Sequence, residues 1–418
     1  MPKTKRWSIE TVPVESEILA DMGVVPVSDD SCDSADPAPT PPTSFPSPAE
    51  FHNNNGNDPA DIENPYSLIS LAMDSSEQVP GSYSGYKKRK VYSESEGGFL
   101  NLSDELMIYI FSLLPKPCLA KCLSVCKNWN RLASDESLWR KVDLSSKMLK
   151  PQHFGIALDR GVHYARCTRI HVQDPAFQFI PNSLPLIYLD LTMATISVKS
   201  LNQLLFASRR IKKLSLEHCT LNDESCQAIS SMKNLETLNL AMCYGLMGVG
   251  LKTIVENCKH LEALNIAWTG LSKFSLDSLF VSLPNRLRRL NISGFRHELT
   301  NEHIESLCIK CPKLFELDIS DAINITEDSI DAIAKSLPSL EYLAASRCYN
   351  IPIMAFTHLQ LCKSLNHLDL FGNWNARNLE LLEKMLPKVT FSMFKFSSIA
   401  RPTVGLRRTS IWEVRVRS

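Results

Sequence analysis

The stretch Leu235-Glu236-Thr237-Leu238-Asn239-Leu240 decides the fold. Its phrase, Leu-x-x-Leu-x-Leu with conservative swaps, begins again at Leu186, Ile211, Leu261, Leu287, Leu314, Leu340 and Leu365. Successive starts are 24 to 27 residues apart. A shorter ninth copy fits Leu386, Val389 and Phe391, and degenerate earlier copies fit Trp139 with Val142 and Leu144, and Cys167 with Ile170 and Val172. Copies in phase at one period mean a solenoid of stacked units, each too small to hide its own apolar side.

Period and phrase together are those of a leucine-rich repeat. The fourth and sixth residues of a phrase, Leu238 and Leu240 here, leave a short strand on one side and enter the core. Between strands, Asn222-Asp223-Glu224 and Thr326-Glu327-Asp328 are polar helix starts. Ile229, and Ile330 with Ile333, follow them and cover that core. Nine parallel strands about 4.8 Å apart predict a concave sheet roughly 40 Å across, a surface suited to gripping a protein.

Upstream, residues 100–141 change character. Ser103 caps a helix with two acids in its first turn, and Leu106, Ile110 and Leu114 mark one apolar face. Pro115 and Pro117 stop it. A second helix runs through Leu119, Leu123 and Val125, and a third lies around Trp129 and Leu132, before Leu138-Trp139 closes the segment. Three short helices make a core too small to be secure alone, so their surplus apolar residues argue for a partner.

Residues 1–96 hold 12 of the 24 prolines and carry 7 Lys/Arg against 16 Asp/Glu. Such a stretch buries too little apolar surface to offset the entropy of ordering, and is expected to be a disordered, acidic, Pro-rich regulatory tail. The cluster Lys87-Lys88-Arg89-Lys90 reads either as a nuclear-import signal, giving a nuclear and also cytoplasmic protein, or as a solvated charge run. The remaining residues carry 38 Lys/Arg against 29 Asp/Glu, a mildly basic body that suggests acidic or phosphorylated partners but is too dilute in charge for a nucleic-acid protein. No apolar core follows the first basic residues and no apolar run reaches 18 residues, so neither a signal peptide nor a membrane span is expected. The 13 cysteines have no framework spacing, which favours reduced thiols.

Catalytic constellations are weak. Cys308-x-x-Cys311 is a lone pair without a second pair at zinc spacing. Cys118, Cys122 and Cys126 are small apolar residues at helical spacing, and His297 and His303 have no nucleophile beside them. No Gly-rich phosphate loop exists. No cofactor, no metal and no enzyme activity are expected.

The segment Leu102–Trp139 resembles an F-box. Leu102, Glu105, Leu106, Ile110, Phe111, Leu114, Leu119, Val125, Cys126, Lys127, Trp129, Leu132, Leu138 and Trp139 carry the match. It departs at Ser103, where the family usually has proline, and at Lys116-Pro117-Cys118, where an acidic residue normally precedes the leucine. Cys258, Cys311 and Cys362 before a phrase, and Cys219, Cys243 and Cys348 after one, are similar to the cysteine-containing repeats of F-box/leucine-rich-repeat proteins. Phe396 to Gly405 with Ile411-Trp412-Glu413, Arg347-Cys348-Tyr349 and Ser293-Gly294-Phe295-Arg296 resemble the S-phase kinase-associated branch of that family.

The resemblance implies a substrate-recognition subunit of an SCF (cullin–RING) ubiquitin ligase. Its partners would be the small SCF adaptor, through it the cullin–RING core, a small CDK-binding accessory subunit, and phosphorylated cell-cycle regulators such as a CDK inhibitor. The expected organisation is a tail over 1–96, an F-box over 97–141, leucine-rich repeats over 142–391, and a C-terminal tail over 392–418. That last segment either caps the solenoid or, as the family implies, folds onto the concave face.

Two surfaces are expected to matter. Adaptor contact is assigned to Leu102, Glu105, Leu106, Ile110, Leu114, Leu119, Val125, Cys126, Trp129, Leu138 and Trp139, although the tryptophans also suit a small core. Substrate and accessory-subunit contact is assigned to Trp268, Phe295, Arg296, Asp321, Arg347, Tyr349, Phe371, Trp374, Phe394 and Phe396. Aromatic side chains interleaved with arginine have the composition of a binding hot spot, or each aromatic fills the space beside its neighbour. A repeat scaffold unconnected with ubiquitin, such as a GTPase activator or nuclease inhibitor, explains the repeats equally well but leaves the helical segment idle.

Overall fold

The computed structural model describes residues 102–179, 182–373, 376–392 and 397–402. The acidic tail, Lys87 to Lys90, Trp374, Phe394 and Phe396 lie outside the described residues.

Four helices open the described chain: α1 (Asp104–Ser112), α2 (Lys116–Cys122), α3 (Lys127–Ala133) and α4 (Glu136–Trp139). Each has a local cause. The Ser103 hydroxyl accepts from the Leu106 N–H to start α1, Pro117 sits in the first turn of α2, Cys126 Sγ caps α3, and Asp135 caps α4. The short α4 was not expected as a separate element, because its four residues have no period to read.

Thirteen strands follow. Eleven form one parallel sheet: β1 (Lys141–Asp143), β3 (Tyr164–Arg166), β5 (Tyr188–Asp190), β6 (Lys213–Ser215), β7 (Thr237–Asn239), β8 (Ala263–Asn265), β9 (Arg289–Asn291), β10 (Glu316–Asp318), β11 (Tyr342–Ala344), β12 (His367–Asp369) and β13 (Thr390–Ser392). The short β2 (Met148–Leu149) and β4 (His171–Val172) pair beside it. Every neighbour in the large sheet is the next turn of the solenoid, and the middle residues align from Val142 through Leu189, Leu238 and Leu290 to Phe391.

From Val142 to Leu368 those middle residues are buried, and from Leu189 to Leu368 they are the fourth positions of the phrase as read. The ninth copy is displaced, because β13 is centred on Phe391, the sixth residue counted from Leu386, and not on Val389. One degenerate copy needs moving. β3 is centred on Ala165, so its phrase runs Val162, Ala165, Cys167 rather than starting at Cys167. Alanine and cysteine in leucine slots hid it, and Ile170 and Val172 instead serve the minor ribbon.

Helices return the chain between strands, among them α5 (His153–Leu158), α6 (Val198–Ala207), α7 (Asp223–Ser230), α8 (Gly248–Asn257), α9 (Lys273–Ser282), α10 (Asn301–Lys310) and α11 (Glu327–Ser336). The next connection, Ile353–Leu361, is a 3₁₀ helix after Pro352, and α12 (Ala376–Met385) is the last among the described residues. Asn222 with Ser225 forms a reciprocal capping box on α7, and the Thr326 hydroxyl caps α11. The cysteines after a phrase tie one turn to the previous one: Cys219 Sγ reaches the Leu191 carbonyl at 3.2 Å, Cys243 the Leu216 carbonyl at 3.0 Å, and Cys348 the Ile319 carbonyl at 3.3 Å. Burial pushes the thiols of Cys219 and Cys348 up to about 12, which keeps them protonated donors. All twelve described cysteines are free.

The fifth residue of each phrase shapes the inner face. Asp190, Asn239, Asn265, Asn291 and Asp318 each accept the backbone N–H two residues on, at 2.9 to 3.1 Å. That local bond turns the chain out of its strand. Three residues beyond the fifth, the backbone is left-handed in ten successive turns, at Ser146, Arg169, Met193, His218, Met242, Trp268, Gly294, Asp321, Arg347 and Gly372.

Candidate functional site

The helical segment divides its apolar residues between two sides of α1. Met107 and Phe111 are buried, and Ile110, Leu114 and Trp129 are half-buried against the core, with the Phe111 and Trp129 rings edge-on at 5.2 Å. Leu106, Tyr109 and Leu113, at helical spacing on the other side, are 52%, 63% and 68% exposed. Leu102 and Val125 are exposed as well. A helix apolar on both sides belongs between two bodies, and only one of them is this chain.

This arrangement corrects the expected adaptor face. Leu119, Leu138 and Trp139 are interior residues. The indole N–H of Trp139 donates to the Ala133 carbonyl at 2.6 Å, and its ring is met by Lys116 at 5.8 Å and by Arg160 at 4.6 Å, which ties the helices to the start of the repeats. Ile110, Leu114 and Trp129 lean inward, whereas Glu105 and Cys126 are exposed beside the outer face. Tyr109 and Leu113 escaped the sequence reading because it followed a single stripe through Leu106, Ile110 and Leu114. The outer stripe at 102, 106, 109 and 113 was there to find.

On the arc, the left-handed position presents the side chains expected to bind. Trp268, Asp321 and Arg347 all occupy it. The Trp268 indole lies across Gly294, where a Cβ would come within 2.3 Å of the ring, so only glycine fits beneath it. Arg347 donates from Nε and Nη2 to the two Asp321 carboxylate oxygens, both at 2.5 Å, and its guanidinium sits over the Phe371 ring at 5.7 Å. The pair is largely buried, a bidentate fork that fixes both side chains. Arg347 is therefore committed to Asp321 and not presented as a loose cation for a target. Arg296 and Tyr349 are exposed. Phe295, expected at the rim, is 1% exposed in the core, because it directly follows the left-handed Gly294 and turns inward.

Residues 397–402 lie along the inner face. Ser397 donates from its hydroxyl to the Asp318 carboxylate and accepts from the Asn291 amide at 3.4 Å. Ile399 and Ala400 pack on Ala263 and Ala344. Arg401 pairs with Glu217 at 3.3 Å, and the Tyr188 hydroxyl donates to the Pro402 carbonyl. This short strap crosses from β10 and β11 back to β5 and β6. Burial pushes the Asp318 carboxyl up, against hydrogen bonds from Ser320 and Ser397 that pull it down. Burial also raises Asp190 to about 6. Among the described residues no His, Cys, Asp and Glu cluster is arranged to hold a metal ion. No helix there is long and apolar enough to cross a membrane.

The comparisons with known proteins agree with this geometry. A family described as the SKP2 LRR domain matches residues 152–418, and one described as F-box-like matches residues 100–145. The chain is 24% identical to lysine-specific demethylase 2A of Xenopus tropicalis over 277 residues, covering 65% of this chain and 21% of that protein. It is 26% identical to F-box/LRR-repeat protein 23 of Arabidopsis thaliana over 213 residues, covering 48% of this chain and 42% of that protein. The chain thus spans less than half the length of these curated relatives. A solved leucine-rich repeat-containing protein, LegL7 from Legionella pneumophila, shares 15% identity at a TM-score of 0.35 over 53% of this chain and 79% of that one, too distant to add to the argument. An apolar helical docking segment, a repeat arc with an engaged rim, and a domain match extending from residue 152 to the last residue, 418, lead to one conclusion: the chain belongs to the F-box proteins with an SKP2-type leucine-rich-repeat domain.

Proposed function

We propose that the chain is a substrate-recognition subunit of an SCF (cullin–RING) ubiquitin ligase, with no chemistry of its own. The outer stripe of α1 carries this reading. Leu106, Tyr109 and Leu113 are apolar side chains of a kind worth about 1.5–3 kcal/mol each when buried, and covering two or three anchors it for a tight complex. The small SCF adaptor is the body that covers them. The rim holds the target and a small CDK-binding accessory subunit, with Trp268 as the aromatic anchor and the Asp321–Arg347 fork as a fixed polar neighbour. The cargo is a phosphorylated cell-cycle regulator such as a CDK inhibitor, and the protein acts in the nucleus and also in the cytoplasm.

Capture of the adaptor by the full chain tests the first half. Leu106→Asp with Leu113→Asp is expected to reduce capture by about 100-fold, since each buries a charge in the docking face. Undiminished capture would sink the reading. For the second half, Trp268→Ala is expected to weaken capture of a phosphorylated CDK inhibitor in the presence of the accessory subunit while leaving the adaptor bound.

A further inference from the structure

The edge of the arc at the N-terminal ends of the strands carries a notch unlike either surface above. There the second residues of successive phrases stack as a ladder. The Arg288 N–H donates to the Glu262 carbonyl, Phe315 to that of Arg288, and Glu341 to that of Phe315, at 2.7 to 2.8 Å. Three cations along this edge already hold a carboxylate. Lys212 pairs with Glu236 at 2.9 Å, Arg286 with Glu262 at 3.1 Å, and Arg289 with Glu316 at 3.4 Å.

Arg288 and Lys313 differ. Both are exposed, and neither has a carboxylate partner among the described residues. The Arg288 guanidinium lies over the Phe315 ring at 5.7 Å, above a groove of about 530 Å³ that Asn285, Lys313 and Ser339 also line, together with Glu262, whose charge Arg286 holds. The cation–π contact holds the guanidinium beside the ring, and its N–H donors have no carboxylate partner among the described residues. Lys313 supplies a second charge beside it, and Asn285 and Ser339 supply neutral donors.

We propose that this notch binds an acidic peptide segment of a partner protein. One carboxylate sits between Arg288 and Lys313, and an adjacent apolar side chain lies on Phe315. The neighbouring rungs decide against a nucleic acid or a membrane. A uniform polyanion laid along the edge would meet Glu236, Glu262 and Glu341, whereas a peptide places its charge at one rung and passes the others with neutral residues. The notch lies on the edge opposite the turns that carry Trp268 and Arg347, so a segment bound here leaves that rim open. The assignment stands apart from the ligase reading, which adaptor capture tests separately.

The experiment titrates the full chain with a short fluorescein-labelled peptide containing Glu-Phe-Glu, and with its Gln-Phe-Gln counterpart. Anionic phosphatidylserine vesicles and a single-stranded RNA serve as competitors. Binding of the Glu peptide is expected to fall about tenfold for Arg288→Gln with Lys313→Gln, the sum of two partly exposed charge contacts, and to weaken as salt rises. Lys388→Gln on the same edge should leave it unchanged. Phe315→Ala should weaken the Glu-Phe-Glu peptide but not a Glu-Gly-Glu control. Equal binding of the Glu and Gln peptides, no loss in the double variant, or tighter binding of RNA or vesicles would each overturn the assignment. Adaptor capture by the double variant should equal that of the unaltered chain, which separates a failure here from a failure of the ligase reading.

Discussion

The helical segment and the arc handle surplus side chains in opposite ways. The segment keeps leucine and tyrosine on the outside of α1, whereas the arc draws aspartate and asparagine into its inner face, where Asp190, Asn239, Asn265 and Asp318 are almost fully covered. The first region is short of interior: four helices of at most nine residues cannot enclose what they carry. The second has interior to spare, because each new turn buries its predecessor. One side-chain oxygen of each of these residues accepts from a local turn, and Asp318 also accepts from the strap, while Asp190 Oδ2 and Asn265 Nδ2 stay buried without a bond. Outward leucines imply something missing from the picture. Of the inward carboxylates, Asp318 is met by the strap and Asp190 is not.

The largest test strikes the arc. Leu264 is fully buried at the middle of β8, so Leu264→Ala should cost about 2–5 kcal/mol in denaturant unfolding. A loss below 0.5 kcal/mol would deny that the phrase leucines form the core. Next comes the buried carboxylate. Its pKa of about 6 in the folded chain exceeds the ordinary value of about 3.9, so folding favours the protonated form. The stability contribution is therefore greatest below the ordinary pKa and is lost as pH rises through about 6. Asp190→Asn keeps the acceptor for Thr192 and removes the charge. It should stabilise the chain at pH 7 by on the order of 1–3 kcal/mol, and the difference should shrink on acidification towards pH 4. A pH-independent difference would mean that the carboxylate is well solvated after all.

Gly294→Ala is smaller, about 1–2 kcal/mol, from a left-handed backbone and a Cβ that meets Trp268. Displacement of the indole should also shift tryptophan emission, and an unmoved spectrum would show that the ring does not rest there. Smallest of all, Leu113→Ser should change the stability of the isolated chain by less than about 0.5 kcal/mol, because Leu113 already faces water. A large loss would place it in a core and erase the contrast between the two regions.

Much of the arc was legible because its period repeats. One phrase placed strands β5 to β12 and fell two residues short at β13, and two polar runs placed the starts of α7 and α11. Where chemistry drifts, reading fails: Ala165 and Cys167 fill leucine slots, and only the sheet register reveals them. The inner polar row was legible too, as Asp or Asn at the fifth position, but its role as a turn former depends on a bond that sequence does not display. The helical segment was harder. With apolar residues on both sides of α1, periodicity cannot say which side is the core. The stripe read as the adaptor face joined the exposed Leu106 to Ile110 and Leu114, which lean inward, and passed over Tyr109 and Leu113. Phe295 failed for a related reason, since a single left-handed glycine decides whether the next side chain points out or in.

The row of left-handed residues has a consequence for how recognition changes over time. Each turn of the solenoid delivers one side chain from the same backbone bend, at the pitch of the strands, whatever that side chain is. Tryptophan, aspartate, arginine and glycine fill equivalent sockets without altering the leucines that set the frame. Specificity can therefore be rewritten one socket at a time, while the scaffold beneath keeps its shape.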